Sequence, residues 1–300
     1  MDGAKRTKWM ITGANGNLGK RLLQNLLLTA DTEVVALVRS ERAKGQIEEL
    51  PLEPEQRSRI EVVIADYTSK QDLQAASEGV NYCVHLVGVL KETPDSSYEK
   101  AHEGSCHALT EALQGGSVSH ISYVSIVGAL ESATNRCLKS KSIAGDTLLN
   151  STPKAMVLRV PMVLGEGDYA SYALRRNALN SLNLLFRPSS MDQPLYAGDV
   201  VRAIKAAASK ELDGSYDLVG PEPLSRRDLI KRAASVLGRR TQVIGLPIAL
   251  GLFLAGLLEK LSSSPPVTRS MLEVLDHDDN MDTTRTCLLY TSDAADETGR

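Results

Sequence analysis

Between an apolar run, Trp9-Met10-Ile11-Thr12, and a segment carrying Leu22, Leu23, Leu26 and Leu27 at helical spacing lies Gly13-Ala14-Asn15-Gly16-Asn17-Leu18-Gly19. The order is strand, glycine-rich turn, helix. One glycine permits the tight turn, another lets backbone approach a ligand with no Cβ in the way, and the last lets helix pack on strand. The free N–H groups of Asn17, Leu18 and their neighbours, reinforced by the helix dipole, favour a dianion. In this context the turn predicts a bound dinucleotide pyrophosphate rather than a purely structural glycine loop.

The same grammar continues. Glu33–Val38, Ile60–Ile64, Tyr82–Val87, His120–Ser125 and Ala155–Val160 are apolar runs of the kind a parallel strand covered on both faces requires. Helical stretches such as Asp72–Glu78 and Tyr98–Gln114 separate them. The expected fold class is α/β: a Rossmann-type doubly wound parallel sheet over residues 1–160, with a smaller, partly helical C-terminal lobe over 161–286 for substrate or docking and late sheet elements packing on the core. In that lobe Gly198-Asp199-Val200 opens a helix, and Ser225-Arg226-Arg227-Asp228 has capping-box spacing before another.

Composition narrows the partners. Thirty-four Lys and Arg against 37 Asp and Glu leave a net charge of −3, so no overall positive field exists to hold nucleic acid. Cys83, Cys106, Cys137 and Cys287 have neither disulfide-scaffold nor Cys-x-x-Cys spacing and read as thiols in a reducing compartment. His102 and His107 stand five apart on an expected helix and share no face, which argues for structural histidines over a metal site. With no apolar signal region at Met1–Arg6, a cytoplasmic location is expected. Val243–Leu258 lacks charge but is shorter than the ~20 residues that span a bilayer and is broken by Pro247 and three glycines. It reads as one buried or docking helix, without a transmembrane span. Arg226, Arg227, Lys231, Arg232, Arg239 and Arg240 precede it, which fits either the solvated face of an amphipathic helix or a location peripheral to a membrane, beside a membrane-associated protein partner. Cys287–Glu297 resembles one reading frame of a transposase adapter used in sequencing libraries, so 287–300 is expected to be foreign and the authentic C-terminus to be missing.

The end of the second strand bears on cofactor choice. An acidic residue there would hold the ribose 2′-OH of NAD, but the strand ends in Val38-Arg39. A guanidinium pairs bidentately with a 2′-phosphate, and Arg42 is near in sequence, so NADP(H) is favoured over NAD(H).

Taken together, the turn Gly13–Gly19, Arg39, Asp66-Tyr67, His85-Leu86-Val87-Gly88, Ser125, Leu158-Arg159-Val160-Pro161, Gly165-Glu166-Gly167-Asp168 and Gly198-Asp199-Val200 resemble an atypical extended member of the short-chain dehydrogenase/reductase superfamily. The similarity runs over residues 8–286 and is greatest to the branch of the Rossmann-fold accessory subunit of respiratory complex I and its bacterial relatives. The resemblance implies that Asp66 meets the adenine amino group with Tyr67 beside it, that Leu86, Val87 and Gly88 pass under the cofactor, and that Pro161 lies near the nicotinamide. It also implies a catalytic Ser, Tyr and Lys, the last two spaced Tyr-x-x-x-Lys on a helix, with the Lys holding the nicotinamide ribose and lowering the phenol pKa.

Here the chain departs from the pattern. Ser125 and Lys141 are present, but Cys137 stands where the Tyr should be, and none of the nine tyrosines has Lys four residues on. A thiol can donate a proton in principle, but its sulfur lies several ångströms nearer the backbone than a phenol oxygen. An inert packed thiol is the simpler reading, with Tyr123, Tyr169 and Tyr172 as conceivable substitutes. Two functions are therefore expected as alternatives: a protein holding NADP(H) for structure or redox sensing in a partner complex, or an NADP(H)-dependent oxidoreductase or epimerase acting on a small carbonyl or sugar-like substrate.

Overall fold

The structure, a computed structural model, describes residues 6–261, 268–269 and 272–273. The segment 287–300, expected to be foreign, lies outside the described residues.

The first half alternates as its apolar runs require. β1 (Thr7–Thr12) leads into α1 (Asn17–Leu26), β2 (Thr32–Val38), α2 (Glu41–Glu48), α3 (Pro54–Arg57), β3 (Ile60–Ile64), α4 (Lys70–Ala76) and β4 (Tyr82–His85). A π-helical turn, Glu99–Gly104, runs into α5 (Ser105–Leu113), followed by β5 (His120–Ile126), α6 (Arg136–Leu149) and β6 (Lys154–Val160). Successive side chains of a strand point to opposite faces, and each face has its own core. Trp9 and Ile11 join the cluster with Leu22, Leu23 and Ile204; Met10 joins the one with Leu73, Leu109 and Ile121. That two-sided burial is why these strands are apolar throughout rather than alternating.

The second half is built from shorter pieces: β7 (Val163–Leu164), α7 (Tyr169–Leu179), β8 (Leu182–Phe186), β9 (Met191–Asp192), β10 (Leu195–Tyr196), α8 (Ala197–Lys210), β11 (Gly214–Asp217), β12 (Leu224–Ser225), α9 (Arg226–Val236), β13 (Gln242–Leu246) and α10 (Ile248–Leu261). β11 adds to the main sheet, whose order is β11-β6-β5-β4-β1-β2-β3, parallel throughout. The chain reverses direction across the sheet between β1 and β4, which opens a crevice at the carboxyl ends of those strands. α8 packs on α1 and contributes Val200, Val201 and Ile204 to the core, while β8 and β13 form a separate parallel pair.

Two helical expectations are corrected. The run Val243–Leu258 is not one helix: Val243–Leu246 pair in β13 with Asn183–Phe186, and Pro247, which lacks an N–H and disfavours a helical residue before it, separates the strand from α10. The stretch from Tyr98 is not α-helical throughout, because Glu99–Gly104 winds as a π-turn. Such insertions carry no sequence periodicity of their own.

Candidate functional site

The glycine turn takes the shape its spacing requires. Gly13 sits at φ +69°, open to glycine at little cost, and a Cβ there would touch the backbone of Leu86 at 3.4 Å. A Cβ on Gly19 would lie 2.7 Å from the carbonyl oxygens of Gly13 and Ala14, so only glycine lets α1 approach the turn this closely. α1 opens with Gly16 at its N-cap and no side-chain cap, so the first amides of the helix, at Asn17, Leu18 and Gly19, have no capping oxygen. The Asn17 side chain points elsewhere, donating to the carbonyl of Gly167 at 2.9 Å, and Asn15 donates to Gln46.

An open cleft of about 580 Å³ begins at this turn. Gly13, Asn15 and Gly16 line one end, Arg39 follows from the end of β2, Asp66, Tyr67 and Thr68 from the end of β3, and Leu86, Val87 and Gly88 from the end of β4. Parallel strands deliver all four segments to one edge, which is why residues so far apart in sequence meet. Asp66 Oδ1 accepts from the N–H of Thr68 at 2.9 Å and its hydroxyl at 2.8 Å, which holds the carboxyl below its ordinary pKa, with Lys100 and Arg39 adding to the effect. The Tyr67 hydroxyl is already engaged: it accepts from the N–H of Gly13 at 3.0 Å and donates to the carbonyl of Leu37 at 2.9 Å. Tyr67 thus fixes the turn against β2, and its burial raises the phenol pKa.

The remaining sequence-predicted residues stand apart from this cleft wall. Asn17, Leu18 and Gly19 lie just beyond it in α1, and Pro161 follows β6. Lys141 lies buried behind Gly88, with Cys137 buried against Val89 beside it, and Ser125 is buried near the end of β5. Asn135 caps α6 by accepting from the N–H groups of Cys137 and Leu138, and the four-residue spacing then turns Cys137 and Lys141 to the same buried face. The Lys141 ammonium donates to the carbonyl of Val124 at 3.2 Å and sits 4.9 Å from the centre of the Tyr123 ring. Burial lowers its pKa to about 8, an effect the Cys106 and Cys137 thiols offset in part. A Cβ on Gly88 would come within 2.8 Å of that ammonium, so only the bare backbone of Gly88 stands between it and the cleft at this point.

The thiol is placed for packing. The Cys137 sulfur lies 3.7 Å from the carbonyl of Val89, and burial pushes its pKa up to about 11 despite the lysine nearby. Tyr123 is fully buried and its phenol is held far above its ordinary pKa, whereas Tyr169 and Tyr172 are exposed on α7. None of the three lines the cleft. His85 bridges Thr12 Oγ1 at 2.8 Å and Ser105 Oγ at 3.2 Å, and His102 Nε2 lies against Val89; burial lowers both to a pKa of about 3, so both are neutral. No metal-binding group of three side chains occurs among the described residues.

Sequence reasoning missed Thr68, Asp95, Ser96 and Lys100 on the cleft wall. Thr68 was accessible through the Asp-x-Thr spacing that turns a carboxylate back on its own backbone. Lys100 sits on the π-turn, for which the sequence carries no signal.

The residues present fit a dinucleotide. The turn closes on α1 only with glycine at 19, the helix start is uncapped, the buried Ser125 hydroxyl has no hydrogen-bond partner, and a buried ammonium with three donors has one acceptor.

Comparison with known proteins agrees. The profile of the NAD(P)H-binding family matches residues 13–172. Mitochondrial NADH dehydrogenase [ubiquinone] 1 alpha subcomplex subunit 9 of Arabidopsis thaliana is 25% identical over 256 residues, which is 80% of this chain. The chain spans 60% of that relative's length. The ceramide reductase of Caulobacter vibrioides is 26% identical over 265 residues, covering 87% of this chain and 80% of the reductase. Among solved structures, a nucleoside-diphosphate-sugar epimerase from Staphylococcus aureus superposes with a TM-score of 0.70 at 17% identity, over 94% of this chain and 95% of that one. UDP-glucuronic acid 4-epimerase from Bacillus cereus, in complex with UDP-glucuronic acid and NAD, gives 0.66 at 20% identity over 89% and 97%. The fold is the one these epimerases share, and the chain belongs to the NAD(P)H-binding family.

Proposed function

We propose that the protein holds NADP(H) in this cleft as a structural or redox-sensing ligand and works through a membrane-associated partner. One observation carries the reading: Lys141, behind the cleft, and the buried Ser125 retain unused hydrogen-bonding capacity, while the position of the family's proton donor holds a short, buried, protonated thiol. On this reading the amides of Asn17, Leu18 and Gly19 meet the pyrophosphate, Arg39 selects the 2′-phosphate, Asp66 meets adenine, and Lys141 anchors the nicotinamide ribose. A bound nicotinamide would supply hydride chemistry. What this chain withholds is a proton at the substrate oxygen, because Cys137 is too short and too basic at neutral pH to give one up within the cleft. The division into a nucleotide-binding part, 1–160, and a docking part, 161–286, belongs to the same proposal. The Arabidopsis relative, a mitochondrial subunit of NADH dehydrogenase [ubiquinone], favours the partner reading.

A second reading, an NADP(H)-dependent oxidoreductase or epimerase, is favoured by the Caulobacter reductase. The two part at turnover. Purified protein is expected to carry or bind nucleotide, yet to show no loss of 340 nm absorbance with NADPH across a panel of carbonyl substrates. Turnover that disappears in Cys137→Ala would overturn the noncatalytic reading.

A further inference from the structure

α10 is built inside out. An α-helix advances about 100° per residue, so its side chains sort into faces. Gly251 and Ala255 are buried, and Gly251 lies against the Phe186 ring of β8, so the small-residue side meets the body of the protein. A second side is taken by the chain's own later residues: Arg269 lies against Gly256, its Nε donates to the carbonyl of Leu252, and its N–H donates to Glu259. Leu250, Phe253, Leu254, Leu257, Leu258 and Leu261 occupy the remaining arc of about 140°, all between 38% and 75% exposed. The stripe does not stop at the helix. Leu182, Leu184 and Ile244 are also exposed, and by strand alternation they share the sheet face of Phe186, on which α10 is seated.

The charge around this surface identifies what it fits. α7 packs on α9 and β8 on β13, and the two segments concerned, 169–187 and 224–261, contain three and seven Arg or Lys residues against two acidic ones, Asp228 and Glu259. Arg226 and Arg232 pair with Asp192 and Glu222, whereas Arg227, Lys231, Arg239 and Arg240 are exposed. A chain of net charge −3 has thus gathered cations in the part that displays its apolar stripe. A second copy of the same chain would bring the same cations to the interface and be repelled; an anionic bilayer would be attracted. No helix among the described residues is long and apolar enough to cross a membrane. An exposed apolar stripe carried by a cation-rich part of the chain fits a helix lying in the headgroup layer.

We infer that α10 and the outer face of β8 and β13 dock this protein on an anionic phospholipid surface, with the α10 stripe seated among the acyl chains. The surface is independent of the cleft, so absence of nucleotide binding leaves it standing. The test is sedimentation of the full chain with vesicles of phosphatidylcholine alone or mixed with phosphatidylglycerol. Binding is expected only to the mixed vesicles, weakening as salt is raised. Phe253→Glu with Leu257→Glu should lower it about tenfold or more, and Arg239→Glu with Arg240→Glu by a similar factor. Phe253→Trp, a variant that keeps the face apolar, should shift its emission to the blue on the mixed vesicles. No binding to the mixed vesicles at low salt would overturn the inference. So would undiminished binding by the folded double-glutamate variant, or a wild-type dimer that this variant dissociates, which would assign the face to a second copy.

Discussion

Lys141→Met is expected to stabilise the nucleotide-free protein while weakening its hold on NADPH. The ammonium is buried with one hydrogen bond, and its pKa falls from 10.5 to about 8, chiefly through burial. Each unit is worth about 1.4 kcal/mol, so the charge costs the fold roughly 3 kcal/mol at neutral pH. Loss of the bond to Val124 returns about 1 kcal/mol, leaving a net gain of about 2 kcal/mol for an apolar side chain of similar length. The pH dependence has a definite sign. Below about pH 8 the lysine is charged in both folded and unfolded chains, and the penalty is present in full. Between about pH 8 and 10.5 the folded protein releases the proton that the unfolded chain keeps, so wild-type stability climbs relative to the variant and the gap closes. Denaturant melts of both proteins at pH 7 and pH 9.5 check this, and a destabilised variant at pH 7 would refute it. A lysine kept at such a cost in the empty fold is accounted for by a ligand that supplies its missing acceptors.

Arg39→Ala is expected to weaken NADPH by about 10- to 100-fold and NADH by less than about threefold, from the roughly 1.5–3 kcal/mol of a charge-assisted bond to phosphate. Arg39 is exposed on the cleft wall at the end of β2, where a guanidinium has room to turn onto a 2′-phosphate. Equal losses for the two nucleotides in equilibrium titrations would withdraw the assignment of NADP(H).

The fold was legible because its physics repeats along the chain. A parallel strand covered on both faces must be apolar throughout, and Val34–Val38 and Ala155–Leu158 announce that directly. The Gly13–Gly19 turn was legible because glycine does there what no other residue can. Other features follow from neighbours that are distant in sequence. The burial of Cys137 depends on the loop of Val89, and the depressed pKa of Lys141 on the depth of the pocket behind Gly88. The uncharged run before Leu258 counted as apolar and was expected to be buried or to dock. Hydropathy sums residues, but packing sorts them by face, and Gly251 and Ala255 took the inner face because small residues let the helix approach β8. The engagement of Tyr67 with Gly13 was likewise invisible until β2 and β3 were set side by side.

The cleft at the carboxyl ends of β1 to β4 is expected to bind a pyridine dinucleotide. Calorimetric titration of NADPH into protein stripped of nucleotide tests it most directly. One saturable site per chain is predicted, with a melting temperature that keeps rising with the logarithm of NADPH concentration once the site is filled. No heat and no thermal shift with either NADPH or NADH would contradict it.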